Sequence, residues 1–297
     1  MISARPGIRQ AGVRLRPAGT AAASLRPRRC ALTSSTPDAL WASRSVRLLR
    51  PAAVVVRGLR RSVRRRRLLD GVDLRVPVGA RLLLVSEPDA AGSLLLGILA
   101  GLIRPYAGSF DLAGLSRADE SSDGWRRRVA YLGPESGYYE WLSPTEVLDL
   151  AGRLAGHDRA ERRRRIEAAI EHYRLGPGLR APVRRGGPVL AQKVALAAAM
   201  LTDPEVLLLD EPLRSLDQAE RARLLHIPGR RRTVLLASRY PASEDGLVNQ
   251  VALLRQGRIA IHARREELAE HNLPLSLRGV VALADLRAER LPAAASA

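Results

Sequence analysis

The stretch that most restricts the possible folds is residues 206–217, which read VLLLDEPLRSLD. Its leading apolar run is typical of a strand buried on both faces, and such strands occur in parallel sheets covered by helices. Two carboxylates, Asp210 and Glu211, stand at the carboxyl end of this strand, and Pro212 ends it. Ligands of open parallel sheets bind at that edge, so the acidic pair is a candidate for holding a metal ion and polarising a water. The alternative is an ordinary buried strand followed by two solvated acids.

Segments typical of strands and helices alternate from residue 52 to about residue 270. Apolar runs such as ARLLLVS, RRVAYLG and TVLLASR predict strands, and longer segments such as LLLGILAGLIRP and QKVALAAAMLTDP predict helices. A helical block at about residues 133–186 interrupts the alternation, and Ser143, Pro144 and Glu146 mark the start of a helix within it. This order predicts an α/β domain with a mostly parallel sheet core and an inserted helical subdomain.

The charge of the chain is strongly positive, with 49 Lys and Arg against 30 Asp and Glu and a formal net charge of +19. Such a chain attracts polyanions or an anionic membrane surface. Lys193 is the only lysine, so a codon bias toward arginine is one explanation of the charge. Aromatic residues make up only 3% of the chain, and no base-stacking surface or zinc-ligand spacing is present in the sequence. No specific nucleic-acid partner is therefore expected.

Two further classes of structure are excluded for this sequence. Cys30 is its only cysteine, so neither an internal disulfide framework nor a cysteine metal cluster can form. No apolar run reaches the length of a membrane span. If the protein works at a membrane, we expect it to dock on a separate membrane-spanning subunit.

Both ends of the sequence lack the regular pattern of its middle. Residues 1–50 are rich in Arg, Ala and Pro and contain a single acid, Asp38, a composition that does not bury enough surface to fold alone. We expect a disordered extension there, with a transit peptide or an over-long start as the alternatives. Residues 269–297 show only weak apolar periodicity before an Ala-rich end, which predicts a C-terminal tail.

Several segments resemble, in order, the landmarks of the ABC transporter nucleotide-binding domain. GILAGLIRPYAGSFDLAG is similar to the helix and strand after a Walker A loop, and YLGPESGYYEWLSPTEVLDL to the Q-loop and the helix that follows it. LTDPEVLLLDEPLRSLD is similar to the Walker B strand and D-loop, and VALLRQGRIAIHARREEL to the closing strands and helix. The resemblance covers residues 52–268 and implies a P-loop NTPase-like fold.

The resemblance also implies cofactors, partners and residue roles. ATP and Mg²⁺ would be the cofactors, with Asp210 and Ser93 as ligands of Mg²⁺ and Glu211 as the residue that activates the attacking water. The implied partners are a membrane-spanning transporter subunit and a second ABC nucleotide-binding subunit in a homodimer or heterodimer. The implied location is cytoplasmic, peripheral on the inner face of the cell membrane. The D-loop that contacts the second subunit would consist of Ser215, Leu216 and Asp217.

The phosphate-binding loop departs from the family pattern. Aligned through LAGL, residues 86–94 read SEPDAAGSL, and Gly92 stands where the family has a lysine. A phosphate loop needs glycines, whose amides turn toward the phosphates, and a lysine that meets their charge. Glu87 and Asp89 instead bring carboxylates, and like charges about 4 Å apart cost about 4 kcal/mol at an effective dielectric of about 20. The nucleotide-binding positions predicted to be degenerate are Ser86, Asp89, Gly92, Ser93 and Leu94.

Other positions of the family pattern are changed as well. Val63 stands at the position of the adenine-stacking aromatic residue, and Pro134 at the glutamine of the Q-loop. In place of the LSGGQ signature the chain has the glycine pair Gly186 and Gly187, so the motif is either displaced or absent. Arg239 occupies the position of the switch histidine.

The resemblance implies an ATP-binding, energy-coupling subunit of an ABC transporter. The departures from the family pattern predict that its ATP binding and hydrolysis are weakened or lost, and they leave open whether it is an enzyme. One alternative is a non-catalytic scaffold or regulatory pseudo-ATPase partner of an intact ABC subunit. Another is an anion-binding protein driven by the arginines of residues 64–67 and 162–165, which predicts nucleic-acid binding that weakens steeply with salt. Tyr138, Tyr139 and Trp141 are expected either near the contact with the membrane subunit or in local core packing.

Overall fold

The computed structural model describes residues 51–87, 90–116, 124–134, 140–211, 214–225 and 232–290. In chain order their strands are β1 (Ala52–Val63), β2 (Arg66–Pro77), β3 (Arg81–Glu87), β4 (Ala107–Leu112), β5 (Leu115–Ser116), β6 (Val129–Leu132), β7 (Val206–Asp210), β8 (Thr233–Ala237), β9 (Gln250–Arg255) and β10 (Arg258–Arg264). Their α-helices are α1 (Ala90–Leu99), α2 (Gly124–Arg128), α3 (Pro144–Leu154), α4 (Arg159–Tyr173), α5 (Gly187–Met200), α6 (Gln218–Leu225), α7 (Arg265–Glu270) and α8 (Leu277–Arg290). The predicted extension at residues 1–50 lies outside the described residues, as do Asp89, Tyr138 and Tyr139.

Strand β7 lies inside a six-stranded sheet, as its apolar run predicts. The strand order of this sheet is β10-β9-β3-β8-β7-β6. All neighbouring strands are parallel except β10 and β9, which are antiparallel. Every residue of β7 is buried: Leu207 and Leu209 pack into one apolar cluster, and Val206 and Leu208 into another. The predicted α/β fold with a mostly parallel sheet core is confirmed.

The two apolar clusters cover the two faces of this sheet. One includes α3, α5 and α8, with Leu148, Leu196 and Leu283 fully or almost fully buried. The other includes α1 and the strands of a second sheet, with Leu96 and Val72 fully buried. Since full burial of one leucine contributes roughly 1.5–3 kcal/mol, these clusters provide the main stabilisation of the edge that carries the candidate site.

The second sheet is antiparallel and has the strand order β2-β1-β4-β5. The arginine-rich segment RRSVRRRR reads in the sequence as a solvated turn after a short strand. The structure differs, because β1 continues to Val63 and β2 resumes at Arg66, so that the turn consists of Arg64 and Arg65 alone. None of residues 60–67 is buried, and the strands extend into this charged segment through cross-strand pairing, in which Arg61 pairs with Leu69 and Val63 with Arg66.

The helical segment between β6 and β7 consists of α3, α4 and α5. Helix α3 begins with a capping box, in which the Ser143 hydroxyl accepts from the Glu146 amide and the Glu146 carboxylate accepts from the Ser143 amide. The cap predicted from the sequence therefore has the expected geometry. Trp141 precedes α3 with 61% of its surface exposed, so local core packing does not describe its position.

Asp149 joins α3 to α4. Its carboxylate accepts hydrogen bonds from Arg162 Nε at 2.6 Å and from Arg153 Nε at 2.7 Å. Desolvation raises the pKa of Asp149, but the hydrogen bonds and charges of Arg162 and Arg153 outweigh it and place the pKa below the ordinary value of 3.8. A carboxylate with a lowered pKa in the folded state contributes stability above its unfolded pKa and loses it as the pH falls through the folded pKa.

We therefore expect Asp149→Asn to lower the free energy of unfolding by about 0.5–1 kcal/mol near neutral pH. The difference from the wild type should shrink as the pH falls through the folded pKa of Asp149 and vanish once the carboxylate is protonated in both the folded and the unfolded state. Urea denaturation at several pH values measures both effects. Asp285→Asn is the matched control, since Asp285 is exposed and 3.9 Å from its partner Arg255. A penalty that stays constant with pH would contradict the assigned role of the Asp149 charge.

The C-terminal part of the described chain differs from the predicted tail. Residues 277–290 form α8, and its Val280 and Leu283 are buried against the sheet. The two residues are three positions apart and therefore lie on one face of the helix. The few apolar residues of this segment are enough to dock a helix because they fall on the same side. The described residues belong to one compact unit, Leu49–Ala297.

Candidate functional site

The candidate site lies at the carboxyl edge of the six-stranded sheet. Strands β3, β8 and β7 are consecutive neighbours in that sheet and run parallel. Their carboxyl ends therefore bring together Ser86 from β3, Arg239 from the segment after β8, and the acidic pair that ends β7. Helix α1 begins at Ala90 and carries Gly92 and Ser93 in its first turn.

Asp210 is the centre of a small hydrogen-bonded group. Its side chain is buried, and its Oδ1 accepts a hydrogen bond of 2.7 Å from the Ser93 hydroxyl. Its Oδ2 accepts a hydrogen bond of 3.2 Å from the Tyr131 hydroxyl. The structure thus brings together Ser93 and Asp210, the two residues predicted as Mg²⁺ ligands. The described residues contain no group of three or more His, Cys, Asp or Glu side chains that could hold a metal ion.

Tyr131, which lies near the end of β6 beside β7, was not predicted as a site residue. Burial, together with the nearby charge and hydrogen bond of Asp210, raises the pKa of the Tyr131 phenol to about 12. The phenol therefore remains protonated at neutral pH and donates to Asp210. The sequence signal for Tyr131 is its position in RRVAYLG, a segment predicted to be a strand. Parallel pairing then places this strand beside the one that ends in Asp210.

The loop at the phosphate-binding position is closed by a hydrogen bond of its own. The Gly92 amide donates to the Ser86 hydroxyl at 3.1 Å. A β-carbon added at residue 92 would lie 2.9 Å from Ser86 Oγ and 3.3 Å from Ala237 Cβ, closer than side chains normally approach. Ser86 and Gly92 are thus complementary, with the serine hydroxyl in the space that a side chain at residue 92 would need. Leu94 packs into the apolar core beneath this loop.

The single lysine of the chain, Lys193, is held in an ion pair. Lys193 lies on α5, and its Nζ is 2.5 Å from Glu220 Oε1 on α6. Only 12% of the Lys193 side chain is exposed. This ion pair ties α5 to α6 and leaves the phosphate-binding position without a lysine.

Glu211 is buried, in a left-handed backbone conformation with φ of 50°, and arginines hold both of its carboxylate oxygens. Oε2 accepts from Arg214 Nε at 3.0 Å and from Arg214 Nη2 at 2.5 Å. Oε1 accepts from the Arg239 amide at 2.6 Å and from Arg239 Nε at 3.3 Å. Arg239, predicted at the switch position, thus binds the predicted catalytic acid. Arg214 was not predicted as a site residue, and its signal in the sequence is its position three residues after Glu211.

The predicted D-loop is anchored to the helix that follows the glycine pair. The Ser215 amide donates to Gln192 Oε1 of α5 at 3.0 Å. Asp217 Oδ1 accepts from the Glu220 amide at 2.7 Å at the start of α6, and Leu216 is buried in the core. These contacts fix the loop within the chain.

The glycine pair forms the start of α5. Gly186 ends a 3₁₀ turn, Val183–Gly186, and Gly187 begins the helix with φ of 73°. A β-carbon at Gly186 would lie 2.1 Å from Leu190 Cδ2, so a side chain at that position would require Leu190 to move. The predicted end of the helical subdomain, near residue 186, therefore lies between the 3₁₀ turn and α5. Helix α5 continues the helical segment beyond that predicted end.

A family model described as ABC transporter matches residues 69–214. The daunorubicin resistance ATP-binding protein DrrA3 of Streptomyces coeruleorubidus is 30% identical over 220 residues, which cover 73% of this chain and 69% of that protein. The chain belongs to the ABC transporter ATP-binding protein family. A second relative in this family, the aliphatic sulfonates import ATP-binding protein SsuB 1 of Rhizobium johnstonii, is 30% identical over 217 residues, which cover 71% of this chain and 76% of that protein.

Solved structures of ABC ATP-binding cassettes have the same fold as this family member. The structure of an ATP-binding subunit of an ABC transporter superposes with a TM-score of 0.65 at 24% identity and covers 74% of this chain and 92% of that one. The dimeric ATP-binding cassette MJ0796 bound to ADP and Pi superposes with a TM-score of 0.62 at 16% identity, over 71% of this chain and 98% of that one. The predicted P-loop NTPase-like ABC fold is confirmed. Among its described helices, none is long and apolar enough to cross a membrane.

Proposed function

We propose that this chain is a subunit of an ABC transporter in which ATP binding and hydrolysis are weakened or lost, and that it acts as a structural or regulatory partner of an intact ABC subunit. The observation that carries the proposal is the environment of Glu211. Two arginines direct four N–H groups at its carboxylate. A carboxylate has about four lone-pair sites, so Glu211 retains none to accept a proton from an attacking water.

The phosphate-binding loop supports the same proposal. An ABC cassette meets the phosphates of ATP with loop amides and a lysine. Here the Gly92 amide is bound to Ser86, and the lysine position cannot take a side chain unless Ser86 moves. These residues do not fit the phosphates of ATP.

The metal position is better preserved than the phosphate loop. Mg²⁺ is usually held by one or two carboxylates together with phosphate oxygens and waters. Asp210 and Ser93 supply one carboxylate and one hydroxyl 2.7 Å apart, which suits that donor set. Because the remaining ligands would come from a nucleotide, Mg²⁺ binding depends on the phosphate binding that the loop opposes.

The proposal includes the partners and the location typical of the family. A membrane-spanning subunit would bind the chain, and a second ABC nucleotide-binding subunit would pair with it, as in the dimeric cassette that superposes on this fold. Residues 52–268 would form the cassette, on the cytoplasmic face of the membrane. The relatives are named for daunorubicin resistance and for sulfonate import, so the proposal assigns no transported substrate.

Calorimetric titration with ATP and Mg²⁺ tests the proposal. We expect no binding by the native chain in the micromolar range. A variant with Ser86→Gly, Glu87→Pro, Pro88→Asn, Asp89→Gly, Ala91→Gly and Gly92→Lys restores the loop glycines and the lysine. Its affinity should rise at least tenfold, equivalent to about 1.4 kcal/mol.

Two controls separate the steps of this argument. The same variant with Gly92 retained shows how much of the recovery depends on the lysine. Gly92→Lys alone, with Ser86 in place, should bind no better than the native chain because the new side chain meets the serine hydroxyl. Micromolar ATP binding by the native chain would overturn the proposal and make the protein a nucleotide sensor or a working ATPase subunit.

A further inference from the structure

The arginine run of α4 is paired with acids. Each guanidinium in residues 162–165 pairs with a carboxylate of α3 or α4: Arg162 with Asp149, Arg163 with Glu167, and Arg164 and Arg165 with Glu161. Such pairs on and between helices compensate the charge locally. This run is therefore a solvated, largely neutralised helix face, and it gives no support to anion binding at residues 162–165.

The arginine run at residues 64–67 has different surroundings. These residues form the tip of the β1–β2 hairpin, and all of them are exposed. Arg67 lies 3.8 Å from Asp70 Oδ1, a loose pair, and within the described part of the chain no carboxylate pairs with Arg64, Arg65 or Arg66. The hairpin tip therefore presents uncompensated positive charge to the solvent.

The backbone at this tip is in an unfavourable conformation for arginine. Val63 pairs with Arg66, so the turn has two residues, and Arg64 and Arg65 have φ of 47° and 63°. A two-residue turn with both φ values positive is of type I′ and favours Asn-Gly. A residue with a β-carbon is disfavoured in this left-handed region. The hairpin therefore has two arginines at turn positions where Asn-Gly would adopt the backbone conformation more easily.

An exposed aliphatic side chain lies in the hairpin tip, and an exposed aromatic side chain lies beside the part of β1 that leads to the tip. Val63 is 40% exposed, and Tyr106 is 67% exposed. The Tyr106 amide donates to the Arg60 carbonyl at 2.9 Å, which places Tyr106 beside β1, and the Arg61 guanidinium lies 4.3 Å above the Tyr106 ring. We call residues 63–67 together with Tyr106 the arginine hairpin. Basic residues beside exposed aliphatic and aromatic side chains are typical of surfaces that bind anionic membranes.

We propose that the arginine hairpin binds anionic lipid headgroups. The observations favour a membrane over a nucleic acid because base binding uses aromatic faces, and here one face of Tyr106 is already covered by Arg61. Val63 and Tyr106 would instead reach the interfacial layer, where tyrosine is enriched. The inference rests on the proposed function in one respect, namely that the chain works in a membrane-bound assembly. Lipid binding itself would need no nucleotide.

Co-sedimentation of the full chain with vesicles tests the proposal. Vesicles of phosphatidylcholine with roughly 30% phosphatidylserine are compared with pure phosphatidylcholine at about 0.15 M salt. The test variant, Arg64→Asn with Arg65→Gly, removes two charges and installs the sequence that the turn favours, so it should fold at least as stably. The control, Arg163→Gln with Arg164→Gln, removes the same number of charges from α4.

We expect the hairpin variant to bind the anionic vesicles about tenfold or more weakly than the native chain, since each arginine near such a surface contributes roughly fivefold. The α4 variant should lose less than about twofold. Both variants share the same net charge and the same N-terminal residues, so those contributions cancel between them. Denaturation in urea verifies that both are folded.

Three results would overturn the proposal. Equal losses of vesicle binding in the two variants would indicate that the net charge of the chain, and not the hairpin, attracts it to the vesicles. Binding to pure phosphatidylcholine as tight as to the anionic vesicles would show that negatively charged headgroups are not what the chain recognises. Tighter binding to a DNA duplex than to the vesicles, lost in the hairpin variant, would identify a nucleic-acid partner instead. Since the vesicle measurement is made without nucleotide, ATP binding by the native chain would contradict the proposed function and leave the vesicle result unchanged.

Discussion

Replacing Arg221 by methionine is expected to lower the free energy of unfolding by about 3–5 kcal/mol, because it leaves an uncompensated buried carboxylate. Arg221 Nη1 lies 3.0 Å from Glu244 Oε1, and the two side chains are only 9% and 5% exposed. Arg221 Nη2 also donates to the Ser243 carbonyl at 2.8 Å. The pair connects α6 to the 3₁₀ turn Pro241–Glu244. Its loss would loosen the segment after β8 that carries Arg239.

The pH dependence of this variant has a definite sign. Burial raises the pKa of Glu244 above its ordinary value of 4.5, although Arg221 and Ser238 act in the opposite direction. A carboxyl group with a raised folded pKa contributes stability below its unfolded pKa and loses that contribution as the pH rises through the folded pKa. Without Arg221 the pKa of Glu244 should rise further, so the penalty should be largest at neutral pH and smaller near about pH 4.

Urea denaturation of three proteins tests this prediction. The third protein is the double variant Arg221→Met with Glu244→Leu, which replaces both charges by apolar groups. Such replacements are often neutral, so we expect the double variant to lie within about 1–2 kcal/mol of the wild type. If the single variant were as stable as the wild type, or the double variant as unstable as the single one, the buried pair would not have the role assigned to it.

The sequence pattern predicts the sheet core well because strand burial depends on runs of adjacent residues. The run at residues 206–209 predicts a strand buried on both faces, and β7 has that position between β8 and β6. The carboxyl edge follows from the parallel order, and at this edge Ser93 of α1 donates a hydrogen bond to Asp210 of β7. In this part of the molecule, local composition and global topology agree.

The environment of Glu211 could not be predicted in the same way. Arg239 was identified by its position in the family pattern, and Arg214 was not identified at all. Their convergence depends on the pairing of β7 with β8 and on the left-handed backbone at Glu211, which turns its carboxylate toward both arginines. Side-chain direction at a strand end is set by tertiary structure and leaves no periodic signal in the sequence.

The turn between β1 and β2 is shorter than its sequence indicates, and the segment predicted as a tail contains α8. The arginine-rich segment at residues 60–67 reads as one long turn because Val63 is its only apolar residue, whereas in the structure its backbone pairs across the hairpin as far as Val63 and Arg66. Residues 269–297 read as a tail because they contain few apolar residues. In this C-terminal segment a small number of buried side chains, such as Val280 and Leu283, is sufficient once the neighbouring sheet covers them.

Replacing Glu211 by alanine is expected to destabilise the fold by about 2–3 kcal/mol, because charge-assisted hydrogen bonds are lost around a buried position. The Arg239 amide would lose its acceptor, and two guanidinium groups would remain close together without a carboxylate between them. This outcome differs from that of a catalytic base, whose removal lowers the rate of hydrolysis and changes stability little.

Glu211→Gln is the matched control for the alanine variant. The amide oxygen of glutamine can still accept from the Arg239 amide, so its penalty should be about half as large. Urea denaturation measures the stabilities, and phosphate release from ATP measures the activity of the same three proteins. ATP hydrolysis by the wild type that disappears in Glu211→Gln, without loss of stability, would show that Glu211 is still a working base. A stability loss with no phosphate release in any of the three proteins would instead mean that the carboxylate serves as an anchor for Arg214 and Arg239. The segments after β7 and β8 would then be held together by the protein alone, without a nucleotide.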